Sequence, residues 1–204
     1  MDRSRLFWKI LLLSAVAAAG CRAQPLQPGA QNCAAAHPGD RAQCEQAFSR
    51  SVQSASRTTE LAGGWRLVRT PDPNGGPEAV SVMHVSDTAR SDLGLAGLTL
   101  RCGRQNLEAL LILLEPLPHG ARPAVTIADG AGRARFDAAA LPGGEALLLP
   151  PAASGLAAGD WQKASELSVE IAAEPAPIRG VVPVAGLASA WQSLSQACAA
   201  RRDP

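Results

Sequence analysis

The sequence has few aromatic side chains and no excess of positive charge. Of its 204 residues, three are phenylalanine, four are tryptophan and none is tyrosine. Lysine and arginine together number 19 against 18 aspartates and glutamates, and Arg201-Arg202 is the one pair of adjacent basic residues. Nucleic-acid binding needs a basic surface, often with aromatic platforms on which bases stack. The composition therefore predicts no nucleic-acid partner, and it disfavours sugar binding through exposed aromatic faces.

Short catalytic motifs are lacking as well. The chain contains no Gly-x-Ser-x-Gly, His-Glu-x-x-His or Ser-x-x-Lys motif and no phosphate-binding glycine loop. The three histidines, His37, His84 and His119, lie in separate stretches, and each is expected in a loop or at the surface. We therefore predict no catalytic residue, no cofactor and no metal site. A site assembled from distant residues is the alternative, because catalytic triads form in that way.

One acidic stretch is a candidate for such a dispersed site. Asp87 and Asp92 lie in the sequence SDTARSD, between two apolar runs. The composition predicts a polar loop that connects two strands. The alternative is an acidic pair that binds a metal ion or acts as acid and base, with Arg101 as a further member of the site.

A single long apolar run is present, near the N-terminus. It extends from Ile10 to Ala19 and follows three basic residues, Arg3, Arg5 and Lys9. A positive start followed by a short apolar run is typical of a secretory signal, and this run is too short to span a membrane as a helix. We expect residues 1–21 to form the signal, and the chain to be exported to the periplasm without a transmembrane helix.

The end of this segment carries a possible modification site. Residues 18–21 read AAGC and resemble the lipobox of bacterial lipoproteins, in which the cysteine becomes the acylated N-terminus. We therefore expect lipidation at Cys21 and a lipid anchor in the membrane. Ordinary cleavage after the small residues 17–19 is the alternative. The rest of the chain is then divided into a flexible tether at 22–32, a single domain at 33–200 and a tail at 201–204.

Four further cysteines, Cys33, Cys44, Cys102 and Cys198, indicate two disulfides, because an exported chain enters an oxidising compartment. Three pairings are open to them. A local bridge between Cys33 and Cys44 is the economical choice, which leaves Cys102 to pair with Cys198 and to join a central strand to the last helix. A zinc site is the alternative, but the chain has none of the close Cys/His spacings that zinc sites favour.

Short apolar runs separated by Gly/Pro turns follow residue 64. This pattern predicts a mainly β (α+β) fold, an antiparallel β-sandwich or a barrel-like domain. An N-terminal disulfide-bonded helix and a C-terminal helix packed on the sheet complete it. The predicted strands are 65–69, 79–85, 95–102, 108–115, 124–128, 133–138, 145–150, 166–172 and 178–184. The predicted helices are 41–56, 154–164 and 186–198.

The stretch LTLRCGRQNLEALLILLE, residues 98–115, predicts a central hairpin. If GRQN is a four-residue loop, Arg101 faces Glu108 and Cys102 faces Leu107 on the neighbouring strand. Opposite charges at facing positions stabilise a hairpin by about 0.2–1 kcal/mol. We therefore interpret Arg101 and Glu108 as a structural charge pair, with a ligand-binding arginine as the alternative.

Taken in order, several motifs resemble a known family. A two-cysteine helical start and a Trp-led strand precede LTLRC with a glutamate six positions later, and VTIADG and VPVAGLASAWQSLSQAC follow. This order is similar to that of the VasI/TagO-like accessory proteins of bacterial type VI secretion systems, over residues 33–198. The resemblance implies a cell-envelope protein of a secretion system, and it implies that Cys33 pairs with Cys44.

Three functions are consistent with these features. The first is a cell-envelope lipoprotein that acts by contact with an envelope protein partner. The second is a binding module for a small apolar or lipid ligand, and the third is an envelope enzyme with dispersed site residues. An exposed apolar patch over a solid core favours the first. A closed apolar cavity favours the second, and a cavity with convergent polar groups favours the third.

Overall fold

The computed structural model describes residues 43, 44, 46, 55–72, 76–104 and 106–200. These residues form two antiparallel sheets. The strands of the large sheet are β1 (Arg57–Glu60), β2 (Arg66–Thr70), β3 (Ala79–Val85), β4 (Leu95–Cys102), β5 (Leu107–Leu113), β8 (Ala139–Ala140) and β9 (Ala146–Leu148). Those of the small sheet are β6 (Ala124–Ala128), β7 (Arg133–Asp137), β10 (Glu166–Ile171) and β11 (Ile178–Pro183). The strand order is β1-β2-β3-β4-β5-β9-β8 in the large sheet and β11-β10-β6-β7 in the small one.

The main helices follow β9 and β11. They are α1 (Pro151–Ala157) and α2 (Leu187–Ala199), with short 3-10 helices at Ala62–Gly64 and Asp160–Lys163. Proline is tolerated in the first turn of α1 because its missing N–H would have no helical acceptor there. Gly159, with φ −134° and ψ −93°, separates α1 from the second 3-10 helix. The predicted helical stretch at 154–164 is therefore helical in large part, but it is divided into two short helices, the first of which begins three residues earlier.

Both sheets contribute one face to a shared hydrophobic core. In β3 and β10 buried residues alternate with more exposed ones, which is the pattern of a strand with one face towards the core. In β5, Ala109, Leu110 and Leu111 are all buried, as the unbroken apolar run predicts for a central strand. Fully buried side chains of the core include Trp65, Val82, Leu100, Leu111, Val125, Leu147, Trp161, Ile171, Val182 and Leu194.

The C-terminal helix packs on the large sheet, as the sequence predicts. α2 contacts β2, β3 and β4, and it buries Leu187, Ala190, Leu194 and Cys198 on one face. Trp191, which the spacing places on the same face, is half-buried at the margin of that face. A disulfide joins Cys198 to Cys102 at the end of β4, with the two Cα atoms 5.6 Å apart. The predicted Cys102–Cys198 pairing is therefore confirmed.

The central hairpin has the predicted register. Arg101 faces Glu108 and Cys102 faces Leu107 in the antiparallel pair of β4 and β5. The loop closes with a hydrogen bond of 2.9 Å from the Gly103 N–H to the carbonyl of Asn106. Local turn chemistry and alternation were sufficient to fix this register, because a shift by one residue would turn every side chain to the opposite face.

The fold class is confirmed as mainly β with antiparallel sheets and a C-terminal helix, and the described strands do not close into a barrel. Gln43, Cys44, Gln46 and Ala55 are helical, inside the predicted helix at 41–56, whose other residues except Ser56 lie outside the described part. The strands β1 and β8 were not predicted. Cys44 is disulfide-bonded, and the predicted partner Cys33 lies outside the described residues, as do Cys21 and His37.

Candidate functional site

Three large apolar side chains are exposed at one end of the large sheet. Val85 is 49% exposed, Leu93 84% and Leu114 64%. Backbone pairing brings their segments together, because Val85 faces Gly97 of β4 and the Leu114 N–H donates to the carbonyl of Gly94 at 3.0 Å. We call Val85, Leu93 and Leu114 the strand-end patch. Single exposed apolar residues are common on protein surfaces, whereas a group of them marks an interaction surface.

Charged side chains lie beside the strand-end patch. Arg90 donates from Nε to Asp87 Oδ2 at 2.7 Å, and its Nη2 lies 2.8 Å from Glu166 Oε2. The hydrogen bond from the Arg90 side chain, followed by that from the backbone N–H of Ala89, lowers the pKa of Asp87. The Glu166 and Asp87 carboxylates in turn raise the pKa of Arg90. The patch therefore has ion-paired neighbours in the loop between β3 and β4, an arrangement typical of the polar rim of an interface.

The loop at 87–92 is attached to the edge of β11. The Asp87 N–H donates to the carbonyl of Val181 at 2.8 Å, and the Asp92 N–H donates to the carbonyl of Arg179 at 2.8 Å. Side chains complete the attachment, because Asp92 Oδ2 accepts the Arg179 N–H at 2.7 Å and Ser91 Oγ accepts the Val181 N–H at 2.9 Å. The prediction of a polar loop is confirmed, and this loop holds one sheet against the other.

The alternative interpretation of the two aspartates as one acidic site finds no support in the geometry. Asp87 binds Arg90, whereas Asp92 binds the backbone of Arg179. Within the described ranges, no three His, Cys, Asp or Glu side chains are grouped so that they could hold a metal ion. Arg101 lies in the central hairpin, and its ion pair there is with Glu108. The structure therefore gives these three residues separate partners.

Arg101 and Glu108 form the ion pair that the register requires. Arg101 Nε donates to Glu108 Oε2 at 2.8 Å, and the two side chains are 40% and 30% exposed. Ser81 of β3 faces Arg101 on its other side. The pair lies on the face of the large sheet opposite to Leu100, a core residue. A partly exposed pair of this kind contributes little to stability and leaves both side chains accessible from solvent.

His84 is buried, so its expected position in a loop or at the surface is wrong. The residue lies in β3, is 8% exposed and contacts the ring of Trp65 edge-on at 5.3 Å between centroids. Its Nε2 is 2.9 Å from the carbonyl oxygen of Gly63, and its Nδ1 is 2.8 Å from that of Val85. Both ring nitrogens lie within hydrogen-bond distance of a backbone carbonyl inside the fold, so we interpret His84 as a structural residue that joins β3 to the turn at Gly63. His119 is exposed in a turn, as expected.

An open cleft of about 450 Å³ lies between α1 and α2. Trp191 and Leu107 supply apolar walls, Cys198 of the disulfide lies beside them, and Ser154 and Ser195 contribute hydroxyl groups. Gly155 of α1 leaves space there, since a Cβ at this position would have no atom within 4 Å. None of the lining residues is charged. The cleft therefore suits an uncharged ligand with apolar and hydrogen-bonding parts.

A second cleft, of about 440 Å³, lies between the β6–β7 turn and the 3-10 helix at Asp160–Lys163. Three of its four charged side chains have structural contacts: Asp129 Oδ1 accepts the N–H groups of Ala131 and Gly132, and Lys163 donates to Asp160 at 2.8 Å. The fourth, Arg133, is exposed on β7. That ion pair raises the pKa of Lys163. This cleft contains turn and helix contacts and no group poised for chemistry.

The comparisons with known proteins add no relative. The chain matches no family model, no curated protein and no solved structure. In the part of the chain that the structure describes, no helix has both the length and the apolar character needed to cross a membrane.

The sequence does not reveal the strand-end patch, because Val85 and Leu114 lie at the ends of predicted strands and Leu93 lies in a predicted loop. Leu93 stands in a polar loop sequence, and Leu114 is the end of an apolar run that was assigned to a buried strand. The sequence signal that indicates the patch is Leu93 itself, a large apolar residue between Asp92 and Gly94 in a predicted turn. Which leucines are exposed depends on how far each strand extends, and β5 ends at Leu113, one residue before Leu114.

Proposed function

We propose that this protein acts by protein–protein contact through the strand-end patch. The observation that carries the proposal is the exposure of Val85, Leu93 and Leu114, the three exposed large apolar side chains of the described residues, at one end of the large sheet. Complete burial of a Leu or Val side chain contributes about 1.5–3 kcal/mol. Burial of the exposed parts of three such side chains therefore provides a binding energy of a few kcal/mol, to which the ion-paired rim adds specificity.

The proposed location is the cell envelope. The signal-like segment at 1–21 and the lipobox-like AAGC support export to the periplasm and anchoring through a lipid on Cys21. The Cys102–Cys198 disulfide is in accord with an oxidising compartment. Replacement of Cys21 by serine is expected to release the protein from membranes. Retention of the Cys21→Ser variant in the membrane fraction would refute the anchor.

The proposed partner is a component of a secretion apparatus. The order of motifs that resembles the VasI/TagO-like type VI secretion accessory proteins supports this choice. Arg101, Cys102 and Glu108 of that motif lie in the central hairpin, and the closing motif forms α2 with its bridged cysteine. The partner and the contact surface are separate propositions, so the experiment below tests them in two steps.

Site-specific photo-cross-linking in cells that produce the full chain tests the contact. A photoreactive amino acid is placed at Leu93 or Leu114, and at the equally outward-facing Ser168 of the small sheet as the control. We expect one adduct of defined mass from both patch positions and none from Ser168. Mass spectrometry of the adduct then tests whether its partner belongs to a secretion apparatus.

A charged substitution in the strand-end patch is the loss-of-contact variant for this experiment. Val85→Asp, combined with the photoreactive residue at Leu114, is expected to abolish the adduct without unfolding the protein, because half of the Val85 side chain is already in water. Adducts that persist in this variant, or that form equally at Ser168, would refute the patch as the contact surface. An adduct with an envelope protein of another system would retain the contact and refute the secretion role.

We propose as a second function the binding of a small apolar or lipid ligand in the uncharged cleft between α1 and α2, which is open to solvent rather than the closed cavity expected for such a module. Gly155→Leu tests it, because Gly155 lines the cleft and a Cβ at this position would have no atom within 4 Å. If the cleft binds a long-chain fatty alcohol, its addition changes the tryptophan fluorescence of the original protein, because Trp191 lines the cleft, and has no such effect in Gly155→Leu. Gly155→Ala, which adds one methyl group, is the control for effects on the helix itself.

A further inference from the structure

Three of the four edge strands offer little to a new strand. Loop 87–92 covers the edge of β11, with the Asp87 N–H bonded to the Val181 carbonyl. The edge of β8 contacts the loop between β5 and β6, since the Ala140 N–H donates to the carbonyl of Ala121 at 2.9 Å. β1 is four residues long, and its register on β2 turns only two of them outward. Among the described residues, the remaining edge strand, β7, pairs with β6 alone.

The outward-pointing backbone groups of β7 follow from its register on β6. The Ala138 N–H donates to the carbonyl of Pro123 at 3.0 Å. From this pair the register of β6 and β7 continues without a shift, from Ala124 facing Asp137 to Ala128 facing Arg133. Hydrogen bonding to β6 alternates along an antiparallel strand. The N–H and C=O groups of Arg133, Arg135 and Asp137 therefore point away from β6, and none has a backbone partner within the described residues.

The same three residues carry charges in a self-complementary order. Arg133, Arg135 and Asp137 are all exposed, and none of them forms an ion pair with another described residue. If two copies of β7 align antiparallel about a two-fold axis at Arg135, Arg133 of each copy faces Asp137 of the other. Facing opposite charges stabilise such a pair and discriminate against other registers.

We propose that β7 is a homodimerisation edge, through which the small sheets of two copies join into one continuous eight-stranded sheet. The two-fold axis passes at Arg135, and the residue pairs are 133/137, 135/135 and 137/133. This register uses all three outward residues. A register shifted to an axis at Phe136 would use only two, because after Ala138 the chain continues into β8 of the large sheet. An isologous contact of this kind closes on itself and does not propagate into fibres.

The two Arg135 side chains face each other at the axis, which weakens the contact. A single strand edge also covers less than the roughly 1,600 Å² of a typical stable interface. The dimer is therefore expected to be weak, and its detection requires a covalent trap in cells that produce the full chain. Directly facing residues in a hydrogen-bonded antiparallel pair have Cα atoms about 5.5 Å apart, which lies within the range of about 4.4–6.8 Å for disulfides.

Cysteine substitution tests the register with a matched control. Arg135→Cys places two cysteines opposite each other at the axis, so an added thiol oxidant should give a disulfide-linked dimer that reduction dissolves. Arg133→Cys alone should give little, because its facing residue is Asp137, whereas co-production of Arg133→Cys with Asp137→Cys should restore the cross-link. Both control positions, Arg133 and Asp137, are exposed on the edge strand, as Arg135 is.

A proline completes the test. Arg135→Pro removes an N–H that points away from β6, which an edge strand tolerates. Added to both members of the Arg133→Cys and Asp137→Cys pair, it should lower the yield of cross-linked dimer by about tenfold through loss of the central hydrogen bonds. Equal dimer yields from Arg135→Cys and Arg133→Cys, or no dimer from Arg135→Cys, would overturn the proposal.

Discussion

Removal of the Cys102–Cys198 disulfide is the perturbation whose effect the structure predicts most fully. The bridge joins the end of β4 to the last turn of α2, across a sequence separation of 96 residues. In the chain-entropy description, closure of a loop of about this length in the unfolded state corresponds to about 4.7 kcal/mol. Domains unfold with about 5–15 kcal/mol in total. A Cys102→Ala/Cys198→Ala variant is therefore expected to lose a third or more of its stability.

Equilibrium unfolding by urea, followed by tryptophan fluorescence, measures this loss. The midpoint should fall strongly in the double variant, and hydrogen exchange of α2 amides should accelerate first. This order follows because α2 then retains only its apolar contacts through residues such as Leu187 and Leu194. Cys198→Ser alone is expected to free one thiol, that of Cys102, which a thiol reagent counts. A free energy of unfolding within about 1 kcal/mol of the original would refute the entropic reasoning.

Three further predictions concern other contacts of the fold. A double-mutant cycle of Arg101→Gln and Glu108→Gln should give a coupling of about 0.2–1 kcal/mol in urea unfolding, and a stronger effect on partner capture than on stability would identify the pair as a binding site. Arg90 lowers the pKa of Asp87 in the folded protein. The contribution of Asp87 to the free energy of unfolding is therefore present above about pH 4 and is lost as the pH falls through the lower pKa of the folded state. The stability difference between the protein and Asp87→Asn should vanish in acid, and a difference that stays constant with pH would contradict this pairing. Gly63→Ala should destabilise the protein by more than about 1 kcal/mol, because φ of Gly63 is +71° and an added Cβ would clash with the backbone carbonyl of Ala185, just before α2. An unchanged thermal midpoint would refute this close approach of the two backbones.

Several elements of the fold follow from local sequence. The bounds of β3, β4 and β6 coincide with the apolar runs at 79–85, 95–102 and 124–128. Each of these runs is bounded by turn residues, and alternation in β3 shows which side chains face the core. The pairing of Arg101 with Glu108 was also predictable from local sequence. A four-residue loop sets which residues of the two strands face each other, and burial of one face excludes a shift of the register by one residue.

Other features depend on contacts between segments that are far apart in sequence. The sequence RTTE of β1 has no apolar periodicity, and it becomes a strand because β2 offers its edge. His84 has the local appearance of any strand residue, but it is buried because the carbonyl of Gly63, 21 residues earlier, and the ring of Trp65 lie against it. The partners of Asp92 and Ser91 are in β11, about 90 positions later.

The sequence by itself determined the mainly β class, most strand positions, the apolar face of α2 and, through cysteine count, a candidate pairing of Cys102 with Cys198. These depend on alternation, helical spacing and turn residues, which act over a few positions. Only the tertiary structure decided which leucines are exposed, which strand edge is free and which partner each charged residue has. Those properties depend on how the two sheets and α2 are placed against each other, and the burial of many side chains together sets that placement rather than any local preference.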